Sequence, residues 1–127
     1  MKEHPEPVDR VNVGLTPEGE TCLKAVMDAG WFELELDAYR ASIALALAAD
    51  VSTATPLSGV TNKFNVGSLD RDGKLRALLN VMRPDTERPY EASERLADAG
   101  VRVLKQKLVD DGVSMSDILG PVVAEDQ

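Results

Sequence analysis

The stretch Ala41 to Ala49 constrains the fold more than any other part of the chain. Its alanines and leucines favour a helix, and they leave that helix apolar around nearly its whole circumference. Such a helix has to be covered on several sides. In a chain of only 127 residues the simplest cover is a second copy of the same helix, so we expect a homo-oligomer, most simply a dimer.

A short strand and a capped helix are predicted ahead of this apolar helix. Residues 10–15 alternate, so one strand face carries Val11, Val13 and Leu15 and the other carries Arg10, Asn12 and Gly14. Thr16-Pro17-Glu18 is typical of a helix start, and Gly30 of a helix end. After a short connection, Asp37 is predicted to cap the apolar helix.

Three further helical segments are predicted in the second half of the chain. In the turn-rich stretch 51–69, residues 63–66 are the best candidate for a short extended piece. Ser68 or Asp70 then caps a third helix that Pro84 stops. A fourth helix runs from about Pro89 to about Leu108, with a close helix crossing at Gly100, and Ser114 or Ser116 opens a final turn. The fold class is therefore mainly α, a short N-terminal strand followed by four to five helices.

This pattern divides the chain into five segments. We expect a flexible tail at 1–8, a strand-helix-helix module at 9–50, a connecting segment at 51–69, a helical extension at 70–120 and an acidic tail at 121–127.

The side chains needed for catalysis or metal binding are scarce. The only histidine, His4, falls in the predicted tail, and the single cysteine, Cys22, lies on an apolar helix stripe, where an inert thiol is the expected state. Residues 70–73, Asp-Arg-Asp-Gly, resemble the start of a calcium loop, but its fifth and twelfth positions are Lys74 and Val81. We therefore predict no enzyme activity, no catalytic residue, no metal and no cofactor. Paired carboxylates such as Glu33 and Glu35 could serve as acid and base, but no motif supports this third alternative.

Composition also bears on the compartment. One cysteine fits a reducing environment, no apolar run approaches the roughly 20 residues of a membrane span, and the N-terminus lacks the apolar core of a signal peptide. We expect a soluble, cytoplasmic protein without a membrane partner.

The net charge of −8 is unevenly distributed along the chain. An acidic balance normally counts against nucleic-acid partners, because phosphate contacts require lysine and arginine. Residues 51–84, however, carry five basic and two acidic side chains, whereas the segments on both sides are acidic. The basic side chains of this stretch are Lys63, Arg71, Lys74, Arg76 and Arg83. They indicate either a binding surface or an ordinary solvated helix face.

Segment 10–49 resembles the ribbon-helix-helix family of DNA-binding repressors and antitoxins. The resemblance rests on the strand length, the Pro17-Glu18 helix start and the turn led by Gly30. In that family two chains pair their strands into a ribbon that enters the major groove. The resemblance implies that Arg10, Asn12 and Gly14 face the bases, and Arg and Asn suit guanine and adenine. The alternative is a dimerising strand-helix-helix module that does not contact DNA.

The order of elements over residues 15–107 also resembles, more loosely, the small E subunit (DndE) of bacterial DNA phosphorothioation systems. The residues that carry this likeness are Lys63-Phe64-Asn65, Leu69-Asp70, Ala77-Leu78-Leu79 and Ala99-Gly100-Val101. It implies a compact, mostly helical oligomer associated with DNA, using lysines and arginines on one surface.

Two functions therefore stay open. The first is a small non-catalytic DNA-associated protein, a regulator or an accessory subunit of a DNA modification or defence system, with a larger enzyme as a possible partner. Its candidate DNA-binding residues are Arg10, Asn12, Lys63, Arg71, Lys74 and Arg76. The second is an acidic protein–protein adaptor that does not bind DNA directly.

Overall fold

The computed structural model describes residues 8–119, and its architecture is mainly helical as predicted. Two strands and six α-helices follow one another, and one π-helical turn continues the fifth helix. The elements in chain order are β1 (Asn12–Leu15), α1 (Pro17–Asp28), α2 (Glu35–Ala48), β2 (Thr61–Asn65), α3 (Val66–Leu69), α4 (Lys74–Met82), α5 (Pro89–Lys105), the π-helical turn Gln106–Asp110 and α6 (Met115–Leu119). Residues 1–7 of the tail predicted at 1–8, and the whole acidic tail at 121–127, lie outside the described residues.

The N-terminal strand pairs within the chain. β1 runs antiparallel to β2, with Asn12 opposite Asn65 and Leu15 opposite Thr61, and the register shifts between Val13 and Gly14. β2 confirms the extended piece predicted within 51–69. The strand partner that the ribbon-helix-helix resemblance assigns to a second chain is here a strand of the same chain.

The predicted two-faced pattern of residues 10–15 is wrong at two positions. Val11 is 72% exposed, although Val13 and Leu15 are fully buried as expected. Gly14 is also buried instead of facing outward. The shifted register explains the burial of Gly14, because it brings Gly14 so close to β2 that an added Cβ would overlap the carbonyl oxygen of Thr61.

The first helix has the predicted boundaries. The Thr16 hydroxyl accepts a hydrogen bond from the Gly19 amide at 3.1 Å, and Pro17 occupies the first helical position. Gly30, just beyond the helix, has a φ of 87°, which only glycine adopts without strain.

The apolar helix α2 is covered by α5 of the same chain. The crossing is close, because a Cβ on Gly100 would lie 1.9 Å from the carbonyl oxygen of Ser42. This confirms the close crossing predicted at Gly100. α5 thus covers the apolar surface of α2 that was predicted to pack against a second copy. For that reason α2 gives no argument for a dimer.

The start of α2 differs from the prediction. The helix begins at Glu35 after Leu34, and Asp37 lies inside its first turn instead of capping it. Acidic side chains in a first turn are favourable because they face the positive end of the helix dipole, so the same residue has a related role.

The second half of the chain follows its predicted caps. The Asp70 carboxylate accepts hydrogen bonds from the amides of Leu75 and Arg76 at 2.9 and 3.0 Å, which caps α4. Gly73 precedes that helix with a φ of 74°. Ser114 caps α6 by accepting from the Asp117 amide at 3.2 Å. The π-helical turn that continues α5 through Asp110 carries no sequence signal that we identified.

A buried polar network joins α5 to the N-terminal strand. Glu94 and Asp98 lie one turn apart on α5 and are 1% and 2% exposed. Glu94 accepts from the Gly14 amide at 2.9 Å, and Asp98 accepts from the Thr16 amide at 3.0 Å and its hydroxyl at 2.8 Å. Arg102, one turn further on, completes the network by donating to Asp98 at 2.9 Å.

The strand-helix-helix segment and α5 share one hydrophobic core. Fully buried side chains from β1, α1, α2 and α5 meet in it, including Leu15, Val26, Ile43, Leu96 and Val101. None of the helices within residues 8–119 has both the length and the apolar character needed to cross a membrane.

Adding one methyl group at the helix crossing tests the packing of α2 against α5. Gly100→Ala in an open helix would stabilise by about 1 kcal/mol. Here we expect a loss of about 2 kcal/mol in the free energy of unfolding, because the methyl overlaps the Ser42 carbonyl and forces the helices apart. Urea unfolding followed by circular dichroism measures the difference, and an unchanged or increased stability would contradict the crossing.

Removing the central carboxylate of the network tests its contribution to stability. We expect Asp98→Ala to lower the free energy of unfolding by about 3 kcal/mol, since the Thr16 amide and Arg102 lose a buried acceptor. The matched control is Asp85→Ala, at an exposed carboxylate in the connection before α5, where we expect a change below about 0.5 kcal/mol. Equal effects of the two substitutions would refute the role of the network.

Candidate nucleic-acid interface

The turn before α4 and the first turn of that helix carry three of the sequence-predicted site residues, Arg71, Lys74 and Arg76. α3 ends at Leu69, and Asp70 folds back over the first turn of α4. The Asp70 carboxylate also accepts from the Tyr90 hydroxyl at 2.7 Å, which fastens the turn to α5. Arg71 therefore lies in a turn that is bonded to both α4 and α5, and Lys74 and Arg76 follow it on the first turn of α4.

The contact between Asp70 and Tyr90 shifts the pKa values of both groups. Burial acts to raise the pKa of Asp70, but the hydrogen bonds from Tyr90 and from the two α4 amides outweigh it, and the pKa lies below its usual value. Burial, together with the Asp70 carboxylate, raises the pKa of Tyr90 to about 12. At neutral pH the pair is therefore a charged acceptor with a neutral donor.

Arg40 of α2 reaches the same turn. Its Nε donates to the carbonyl of Leu69 at 3.1 Å and its Nη2 to the carbonyl of Ser68 at 2.8 Å. A third contact joins its Nη1 to the Asp37 carboxylate at 3.3 Å. The guanidinium is thus oriented by main-chain acceptors, although the side chain remains 44% exposed.

A cleft of about 310 Å³ lies between α2 and this turn. Its lining residues combine cationic, anionic and apolar side chains: Arg40, Ile43, Leu69, Asp70, Arg71, Asp72, Lys74 and Leu75. Three of the cations therefore share one concave surface.

We call Arg40, Arg71, Lys74 and Arg76 the cationic cluster. All four side chains are exposed at one end of α4. The acidic side chains of Asp37, Asp70 and Asp72 offset part of this charge, and Asp72 approaches the Lys74 ammonium to 3.7 Å. Because that contact is long and both groups are largely exposed, it contributes little binding energy and leaves Lys74 available to a ligand.

Lys63 is placed elsewhere. Its ammonium lies 3.3 Å from a Glu20 carboxylate oxygen and 3.2 Å from one of Glu35. Burial acts to lower the pKa of Lys63, but the two carboxylates raise it above its usual value. Lys63 thus neutralises local acid, and a phosphate would have to displace both partners.

Arg83, the remaining cation of the basic stretch, also has partners within the chain. It donates to the Val51 carbonyl at 2.8 Å and lies 3.4 Å from the Asp50 carboxylate. The side chain is 18% exposed, so Arg83 ties the end of α4 to the end of α2.

The two sequence-predicted residues near the strand differ in their surroundings. Arg10 lies 3.1 Å from the buried Glu94 carboxylate and is 41% exposed. Asn12 is exposed at the start of β1. The six predicted residues therefore occupy three places. Arg71, Lys74 and Arg76 lie around the start of α4, Lys63 lies on β2 between Glu20 and Glu35, and Arg10 and Asn12 lie at the N-terminal strand.

Sequence reasoning missed Arg40. It lies in segment 21–50, which has a charge of −3, and 31 residues before Arg71, so only the packing of α2 beside the Leu69–Asp70 turn brings it there. No local pattern identifies such a residue.

The described residues contain no group of three or more histidine, cysteine or acidic side chains arranged to hold a metal ion. Cys22 is half-buried. The calcium-loop likeness at 70–73 is accounted for by helix capping, because the Asp70 oxygens are bound to two amides and a hydroxyl.

Comparisons of the chain with protein-family models, curated proteins and solved structures gave no match.

Replacing Asp70 by asparagine tests the anchored turn through its pH dependence. We expect Asp70→Asn to lower the free energy of unfolding by about 2 kcal/mol at pH 7, since the charged cap of α4 is lost. The folded-state pKa of Asp70 is depressed, so its stabilisation is present above its unfolded value of 3.8 and disappears as the pH falls through the folded value. The difference between the two proteins should accordingly shrink below pH 3.8, as measured by urea unfolding over a pH series. A difference independent of pH would contradict this assignment.

Proposed function

We propose that this protein is a small non-catalytic DNA-associated protein that contacts the phosphates of duplex DNA through the cationic cluster. The observation that supports this is the convergence of three exposed cations, Arg40, Arg71 and Lys74, on one cleft at the start of α4, in a chain with a net charge of −8. Arg76 is exposed on the first turn of the same helix. In this role it is a cytoplasmic regulator, or an accessory subunit of a DNA modification or defence system beside a larger enzyme. It acts as a homo-oligomer, which multiplies the weak contacts of one cluster.

The chemistry of the cluster favours phosphate over base edges. Guanidinium groups match phosphate oxygens in a two-pronged geometry, and Arg40 is already oriented by the Ser68 and Leu69 carbonyls. Contacts of this kind position a protein on the duplex without sequence information. The proposal therefore predicts binding that varies little with DNA sequence.

Base recognition by the strand is not assigned to Arg10, whose guanidinium is paired with Glu94. Asn12 remains the strand residue suited to an adenine edge, because it is exposed. Lys63 is not assigned a phosphate contact because Glu20 and Glu35 surround its ammonium.

A salt titration tests DNA binding. If four phosphates are neutralised, the logarithm of the affinity for a short duplex should fall with the logarithm of salt concentration with a slope of roughly −3 to −4. Between about 50 and 200 mM salt the affinity should decrease on the order of 100-fold. Fluorescence anisotropy of a labelled duplex measures both quantities, and the absence of a complex at micromolar protein and low salt would refute the proposal.

Charge reversal then locates the surface. We expect Arg71→Glu and Arg76→Glu each to weaken binding by at least about tenfold at low salt and to reduce the magnitude of the salt slope by about 1. The matched control is Lys24→Glu, the same charge change at an exposed position of α1 outside the cluster, with only a small effect. Equal weakening by all three substitutions would show that net charge, and not the cluster, determines binding.

The second candidate function is an acidic adaptor that binds protein and not DNA. It is favoured by exposed apolar side chains beside acidic ones in the connection between α1 and α2, where Trp31 is 48% and Leu34 is 61% exposed. Retained self-association or partner binding, in a protein that gives no duplex complex at low salt, would support this function over the first.

A further inference from the structure

An unpartnered apolar stripe follows the outer side of α4. Leu78, Val81 and Met82 are 46%, 79% and 47% exposed, and their spacing places them together on one helix face. Leu75 and Leu79 of the same helix pack against the core and lie beside this stripe on the helix surface. α4 therefore has one wide apolar arc, of which the chain itself covers only one flank.

The charge on this stripe is positive. Lys74 lies at its N-terminal end, and the sequence from Lys74 to Pro84 contains no acidic residue. A partner surface that combines apolar and acidic side chains would complement it.

The connection between α1 and α2 has that composition. Trp31 and Leu34 are exposed there, and the exposed acidic residues Asp28 and Glu33 lie close to them in the sequence. Exposed aromatic side chains such as that of Trp31 are enriched among the residues that anchor protein interfaces.

The two surfaces lie at opposite ends of α2. The Trp31–Leu34 connection immediately precedes the helix, whereas Arg83 at the end of α4 bonds to Asp50 and Val51 just beyond it. A helix of 14 residues is about 20 Å long, so the end of the stripe at Met82 lies well away from the Trp31–Leu34 connection of the same chain.

We propose that the α4 stripe of one copy docks on the Trp31–Leu34 connection of a second copy. The occupant is a second copy because both complementary surfaces are present on every molecule, matched in apolar character and opposite in charge. The interface joins two different surfaces, so it produces a ring, a filament or a dimer with two such junctions. This inference rests on the homo-oligomer named in the proposed function, and it does not require DNA.

Sedimentation velocity and light scattering without DNA test the inference. We expect a mass of at least two copies of the 13.7 kDa chain at high micromolar concentration. Val81→Asp and Leu34→Asp, one on each surface, should each weaken self-association at least tenfold and shift the mass toward 13.7 kDa. The control Val11→Asp introduces the same charge at a valine that is 72% exposed on neither surface and should leave assembly unchanged.

Mixing provides the decisive measurement. Equal amounts of Val81→Asp and Leu34→Asp retain one intact surface of each kind, so the mixture should form a complex that neither variant forms alone. Circular dichroism melts establish that both variants fold, and Met82→Asp replaces Val81→Asp if the latter does not.

Several outcomes would overturn the inference. These are a monomeric wild-type protein at high concentration, assembly that survives both substitutions, or a mixture that behaves as the sum of its parts. Duplex binding by the two variants is measured separately, since they leave the cationic cluster intact. A wild-type protein that binds the duplex but does not assemble would overturn this inference alone. A wild-type protein that assembles but does not bind the duplex would overturn DNA binding alone.

Discussion

The fold depends on two carboxylates that α5 carries into the interior. Glu94 and Asp98 are almost completely buried. Glu94 accepts a hydrogen bond from the Gly14 amide, and Asp98 accepts one from the Thr16 amide. A buried carboxylate is expensive to desolvate unless its oxygens are bonded, and burial is the main reason that the pKa of Glu94 is raised. Because their partners are main-chain groups at one place, these carboxylates fix the position of β1 on α5. Hydrophobic contacts alone, which are not directional, would leave that register open.

Close packing at and beside this network requires glycine at two positions. A Cβ on Gly19 would lie 2.2 Å from the Asp98 carboxylate, and one on Gly14 would overlap β2. The Tyr39 hydroxyl reaches the Gly14 carbonyl at 2.9 Å from the other direction, so the backbone at Gly14 is bonded through both its amide and its carbonyl. Glycine in α1, unfavourable for an isolated helix, is thus explained by close approach and not by flexibility.

Much of the secondary structure could be predicted from local chemistry. Thr16 before Pro17, Gly30 after α1, Asp70 before α4 and Ser114 before α6 each act within a few residues, so their caps are visible in the sequence. The features that could not be predicted depend on residues far away in the sequence. The cover of α2 comes from α5 some fifty residues later, and the surroundings of Gly14 and Arg40 are set by residues that no local window contains. The candidate site follows the same division, because Arg71, Lys74 and Arg76 form a local run whereas Arg40 joins them only through tertiary packing.

The contacts that fasten the N-terminal strand to α5 also determine when the fold can form. The hydrogen bond from Gly14 to Glu94 spans 80 residues, that from Thr16 to Asp98 spans 82, and Asp9 caps the start of α5 across 81. On a ribosome, β1 and α1 emerge while α5 is still unsynthesised, so their buried polar groups have no acceptors and α2 has no cover. Closing loops of this length is slow compared with forming single helices. The chain therefore completes its core only after α5 is available, and until then the apolar surface of α2 is the part most exposed to premature association.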